Sequence, residues 1–163
     1  MNIENLITEN DETLIRRCIE LAGESVKNGD KPFGALLAKD GNIIFESSNN
    51  AKTKVPYHAE ILTLMDAQDK LNTTDLSDYA LYSNCEPCPM CSFMIREYKL
   101  DKVVFSVHSP YMGGQSRWNI LEDDVLTRFK PYFSKPPNVV GGVLESEGKR
   151  IFDKVGLWMF GKE

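Results

Sequence analysis

Three of the chain's four cysteines fall within seven residues, "CEPCPMC" at 85 to 91, at a regular step of three. Small secreted domains spread their cysteines so that disulfides staple distant segments, whereas clustered thiols in a reducing compartment point to metal or redox chemistry. A metal needs donors at about 2.0 to 2.3 Å, three or four of them, so a cluster of this kind has to be completed from elsewhere in the chain. The complementary stretch is "HAE" at 58 to 60. If the two stretches share a metal, the fold has to bring residues 58 to 60 onto residues 85 to 91.

The pattern along the chain says how. Leu14, Ile15, Cys18, Ile19, Ala22 and Val26 recur at helical spacing, and "NGD" at 28 to 30 supplies a stop in which Gly29 takes a positive φ. "PFGALLAK" and "NIIFES" read as two strands joined through the Asp40-Gly41 pair, a hairpin signal. Helical period returns from 58 to about 71, "YALYS" is a short strand, and a helix from Pro89 to about Tyr98 has its proline early, where the missing N–H does no harm. "KVVFSV" is a buried strand, "HSPYMGGQS" a loop, "WNILEDDVLTRF" a helix, "NVVGGVL" a strand and "GKRIFDKVGLWMF" a closing helix.

This order, α-β-β-α-β-α-β-α-β-α, predicts an α/β fold with five strands in a mixed sheet and helices on both faces. The right-handed crossover rule makes the later strands mostly parallel, while the first two pair antiparallel. Ligands in such sheets collect at the carboxyl ends of strands, where the following helices begin, and "HAE" and "PCPMC" both sit at helix beginnings. No repeat or linker divides the chain, so residues 1–163 are expected to form a single domain. No apolar run approaches membrane-spanning length and the N-terminus lacks the features of a secretory signal, so a cytoplasmic location is expected. The net charge of −5 repels polyanions and gives no long-range help to a nucleic-acid partner, although it leaves room for a local basic patch.

Several readings of the cysteines compete. A structural zinc would take His58, Cys85, Cys88 and Cys91 as a closed Cys₃His set, the site of a non-catalytic binding or scaffold protein. A catalytic zinc would take His58, Cys88 and Cys91 and keep a fourth position open. A redox pair of Cys88 and Cys91 would leave His58 and Glu60 unexplained, and an iron–sulfur cluster lacks a fourth cysteine at its usual next position, which is Ile95. Two points favour the catalytic version. Glu60, two residues beyond a ligand on the first helical turn, can approach an open coordination position, and two converging helix N-termini help hold thiolates and hydroxide deprotonated.

With "HAE" followed about 30 residues later by "PCPMC", the chain resembles the zinc-dependent cytidine deaminase-like superfamily, whose signature is H-x-E with P-C-x-x-C. The likeness runs from "PFGALLAKDG" through "NN", "HAE", "LYSNCEPCPMC" and "KVVFSV", in the order of the guanine deaminase and tRNA adenosine deaminase branches. It implies a three-layer α/β/α sandwich, Zn²⁺ held by His58, Cys88 and Cys91, and Glu60 as the proton-transferring catalytic residue. It further implies that the main-chain N–H of Ala59, Asn49 and Phe33 meet the substrate, and that His108, Tyr111 and Trp118 lie where the family shapes its pocket. A homodimer is expected on the same ground.

The implied activity is hydrolytic deamination of a small nucleobase or nucleoside, with purine bases such as guanine ahead of pyrimidines. The segment "SVHSPYMGGQSRWNIL" departs from the guanine branch, since it has no acid where that branch carries an aspartate, and "GGQS" with "NIL" is closer to the tRNA type. Against a tRNA substrate stand the negative charge and the apolar C-terminal stretch "GLWMFGKE".

Overall fold

The computed structural model describes residues 6–157. Helix α1, Glu9–Lys27, starts from a capping box in which Thr8 accepts from the Asp11 N–H while Asp11 accepts from the Thr8 N–H. Asp11 is buried and does more than cap: Oδ1 also accepts from the Tyr82 hydroxyl at 2.7 Å and from Lys102 Nζ at 3.1 Å, tying the helix to two strands.

Burial pushes the Asp11 carboxyl up, but the hydrogen bonds from Tyr82, Thr8 and Lys102 more than offset it, and the net effect lowers it below its ordinary 3.8. A carboxylate depressed in the folded state stabilises above its unfolded pKa and loses that contribution as pH falls through the folded value. Asp11→Ala is therefore expected to cost about 2–4 kcal/mol at neutral pH, combining a lost cap with an orphaned buried hydroxyl. The deficit should shrink as pH falls below about 4; urea unfolding at pH 7 and pH 3 checks both.

Strands β1 (Gly34–Lys39) and β2 (Asn42–Ser48) form the expected antiparallel hairpin, and Asp40 and Gly41 take φ of 50° and 78°, as the tight turn requires. Helix α2 covers Ala59–Leu71, β3 Ala80–Cys85, α3 Pro89–Glu97, β4 Lys102–Val107, β5 Asn138–Val140 and α4 Glu145–Lys154. The five strands lie in the order β2-β1-β3-β4-β5, with β1 antiparallel to both neighbours and β3, β4 and β5 parallel.

Alternation along the strands sorts the side chains into two layers. Ala35, Leu37, Leu81 and Val103 face α2 and α3, joining Leu64, Ala67 and Ile95. Leu36, Ala38, Tyr82 and Val104 face the other way, onto Leu14, Ile15 and Cys18 of α1. Helix α4 packs against β4 and α1, which completes the three-layer α/β/α arrangement.

One expected element is absent. Residues 118–129 form no α-helix; among them only Val125–Arg128 is helical, as a 3₁₀ turn. The cause lies in α3. The Arg96 side chain is buried, and its Nη1 donates to the carbonyls of Ile120 and Asp123 at 2.8 Å while Nη2 donates to that of Ser134 at 3.1 Å. An α-helix over this segment would spend the first two carbonyls on its own amides. The last strand is also shorter than expected, because Gly142 at φ 81° and Leu144 at φ 53° turn the chain into α4, which begins at Glu145 rather than Gly148. The C-terminal aromatics from residue 158 onward lie outside the described residues.

Candidate metal centre and cleft

Two helix N-termini converge where β3 ends. His58 is the N-cap of α2 and Cys88 the N-cap of α3, both with extended backbone and neither using its side chain to cap its helix. Pro89 opens α3, and Cys91 lies one turn inside it, fully buried. Each side chain left unused by capping is thereby delivered to the same point.

His58 Nδ1 lies 3.6 Å from Cys88 Sγ and 3.5 Å from Cys91 Sγ, and the two sulfurs are 3.5 Å apart. Tetrahedral ligands at about 2.0 Å (nitrogen) and about 2.3 Å (sulfur) stand roughly 3.5–3.8 Å from one another, so the three atoms match three corners of a zinc site. His58, Cys88 and Cys91 also form the one group of three or more such donors among the described residues whose atoms lie close enough to hold a metal.

Electrostatics fits the same chemistry. Cys88 is pulled down to about 4, chiefly by the hydrogen bond from the Cys91 thiol and by the His58 ring, against the opposing effect of burial. Cys91 is pushed up, because its proton is held toward Cys88, because it is buried and because Glu60 is near. The hydrogen bond to Cys88 raises His58 despite its burial. The Cys88 thiolate thus stands beside the Cys91 thiol and the His58 ring where two helix N-termini meet, a disposition that a divalent cation satisfies.

Glu60 follows on the first turn of α2 and is buried. Its Oε1 accepts from Ser83 Oγ on β3 at 3.1 Å, and Oε2 lies 3.7 Å from Cys91 Sγ. Burial first, and the negative charge of Cys88 second, raise this carboxyl above its ordinary 4.5. Cys85 is not in the donor group: it packs with Val107 and Phe152, and burial pushes its thiol up. Cys85→Ala should therefore leave one zinc per chain, and a chain that loses its zinc on this change would make Cys85 a ligand.

His58, Glu60 and Cys88 border a cleft of about 270 Å³. Phe33 and Asn49 line it as well. The amide nitrogen of Asn49 donates to Asp30 Oδ1 at 3.0 Å, and its backbone N–H donates to the Phe33 carbonyl, so the two residues are fixed together and Asn49 is not spent on its own backbone. Ala59 is the first residue of α2 and fully buried, and as such its N–H has no intrahelical acceptor.

Trp118 does not reach this cleft. It is 53% exposed, with the Arg117 guanidinium 4.7 Å above its ring, and with Tyr111 it lines a separate shallow depression that joins the cleft at Cys88 and Met112. His108 pairs with Glu145 at 3.0 Å and is likewise outside the cleft lining. The residues of that loop that do line the cleft are Ser109 and Met112, and Lys31 stands at its other side.

The model of the cytidine and deoxycytidylate deaminase zinc-binding region matches residues 8–107. The chain is 33% identical to the tRNA-specific adenosine deaminase of Bacillus subtilis over 140 residues, covering 84% of this chain and 83% of that protein. It is 45% identical to the guanine deaminase of the same organism over 85 residues, so that this match spans only about half the relative's length (54%). Among solved structures, one from a study of A-to-I editing by tRNA:A34 deaminases superposes with a TM-score of 0.71 at 27% identity over 85% of this chain and 98% of the other. The Bacillus subtilis guanine deaminase structure superposes with a TM-score of 0.58 at 33% identity over 75% of each.

Proposed function

The chain belongs to the zinc-binding cytidine and deoxycytidylate deaminase family, and from that membership we propose that it hydrolytically deaminates a small aminated nucleobase or nucleoside, with purine bases such as guanine favoured. The observation that carries the proposal is the buried Glu60 carboxylate beside a three-donor zinc site at the wall of a cleft large enough for one heterocycle.

His58, Cys88 and Cys91 would hold the zinc, which when bound supplies Lewis acidity and brings the pKa of a water toward neutrality. Glu60 takes a proton from the attacking water and passes it to the ring nitrogen as the water oxygen bonds to the amino-bearing carbon. It then carries the remaining hydroxyl proton to the amino group, the C–N bond breaks, ammonia leaves and a ring carbonyl remains. A carboxyl raised above its ordinary range keeps a transferred proton more readily than a free carboxylate, which suits a group that must hold the proton before returning it. Ser83 holds one carboxylate oxygen, which steadies the other for transfer. Phe33 and Asn49 orient the base, and Ala59 N–H donates to it.

Ammonia release from guanine, adenine, cytosine, their nucleosides, related triazines and pterins tests this, with Glu60→Gln as control. Silence across the panel sinks the proposal. A tRNA substrate is the second reading, favoured by the greater extent of the match to tRNA-specific deaminases; salt-dependent tRNA retention with inosine formation would establish it.

A single domain over 1–163, a cytoplasmic setting and a homodimer complete the proposal. Phe93 on α3 and Phe129 and Tyr132 between β4 and β5 are exposed apolar side chains that a dimer could cover. No described helix is long and apolar enough to cross a membrane.

A further inference from the structure

Glu86 lies between the end of β3 and the first cysteine of α3, and it is 3% exposed. A buried carboxylate with so little access to water has to be satisfied by donors, and all of its donors come from one place. Oε1 accepts from the Ser109 N–H at 3.1 Å and from the Ser116 hydroxyl at 2.6 Å; Oε2 accepts from the N–H groups of Gln115 at 3.1 Å and Ser116 at 2.8 Å. Four bonds therefore clamp both ends of the 109–116 loop to a single side chain.

The loop is shaped to permit the approach. A Cβ at Gly113 would stand 1.7 Å from Glu86 Oε2, and one at Gly114 would stand 1.8 Å from Ser92 Oγ, while the Gly114 N–H donates to the Pro87 carbonyl at 2.8 Å. The same loop supplies Ser109 and Met112 to the cleft, and Ser109 Oγ is buried there with no hydrogen-bond partner.

We infer that Glu86 is a positioning residue for substrate recognition: its carboxylate fixes the cleft wall that presents Ser109 and Met112 to the bound base. Glu86 transfers no proton in this account and holds no metal. The metal donors and Glu60 sit at the starts of α2 and α3 rather than on the loop, so loss of the clamp should weaken substrate binding more than the chemical step. The inference rests on the deamination proposal for the identity of the ligand, but not for the clamp itself.

The test compares Glu86→Gln and Gly113→Ala with the unaltered protein. The first replaces an acceptor oxygen by a donor, and the second displaces the carboxylate without altering it. Both should retain one zinc per chain, speed amide exchange at Ser109, Gln115 and Ser116 by about 10-fold or more, and raise KM about 10-fold with kcat within about threefold. Ser116→Ala, which removes one donor and keeps the backbone bonds, should move KM and exchange the same way by less, and it decides the matter if the others fail to fold. Unchanged exchange overturns the clamp. Faster exchange with unchanged KM overturns its role in recognition, and a fall in kcat accompanied by zinc loss would show the carboxylate acting through the metal. If the unaltered protein releases ammonia from no substrate, the deamination proposal fails while the exchange measurement still decides whether Glu86 holds the loop.

Discussion

Glu60→Gln is expected to retain zinc and fold while lowering kcat by roughly 10²–10⁴-fold, the range that positioned general acid–base groups contribute. The reasoning is specific to the site. Glutamine keeps the volume of the buried side chain and can still accept from Ser83, so neither packing nor the hydrogen bond at Oε1 explains a loss. What it removes is the ability to take and return a proton next to His58, Cys88 and Cys91. Metal analysis and turnover on the same preparation check the prediction; a variant that turns over normally removes Glu60 from the mechanism.

The second large effect is metal removal. Chelation, or Cys91→Ser, should abolish turnover, and zinc returned to the chelated protein should restore it. A stability change should accompany the loss, because binding to the folded state alone contributes RT ln(1 + [L]/Kd), about 4 kcal/mol at a thousandfold excess over Kd. Cys91 is the most telling ligand to change: it is fully buried one turn into α3, against Glu60, so its loss leaves Cys88 and His58 without their shared partner. Thermal unfolding with and without chelator separates the outcomes, since a purely redox pair would leave the melting temperature insensitive to zinc.

Much of this was legible in the chain. Asp40-Gly41 between two strand-like runs marks the hairpin, and "KVVFSV" coincides with β4, because local turn chemistry and a mostly apolar, buried strand leave little for tertiary context to override. His58, Glu60, Cys88 and Cys91 stand out because metal chemistry restricts residue type and spacing together. Residues 118–129 carry the apolar period of a helix but do not form one, because the deciding partner, Arg96, is more than twenty residues away and meets them only in the fold. Trp118 lies just after the loop where the resembled family shapes its pocket, yet here its surroundings leave it half exposed beside the cleft. Glu86 is masked inside "CEPCPMC", where the cysteines dominate. Its signal was an acid preceding a proline at a strand end, with the paired glycines 113 and 114 far along the chain to admit it.

The central proposal is that His58, Cys88 and Cys91 would hold zinc without a fourth protein ligand, with Glu60 beside them. Absorption at the zinc edge of the metal-loaded protein measures it most directly, because sulfur and lighter donors scatter distinguishably at about 2.3 and 2.0 Å. Two sulfurs, one imidazole nitrogen and one oxygen are predicted; three sulfurs and one nitrogen with no oxygen would place Cys85 on the metal and contradict the account.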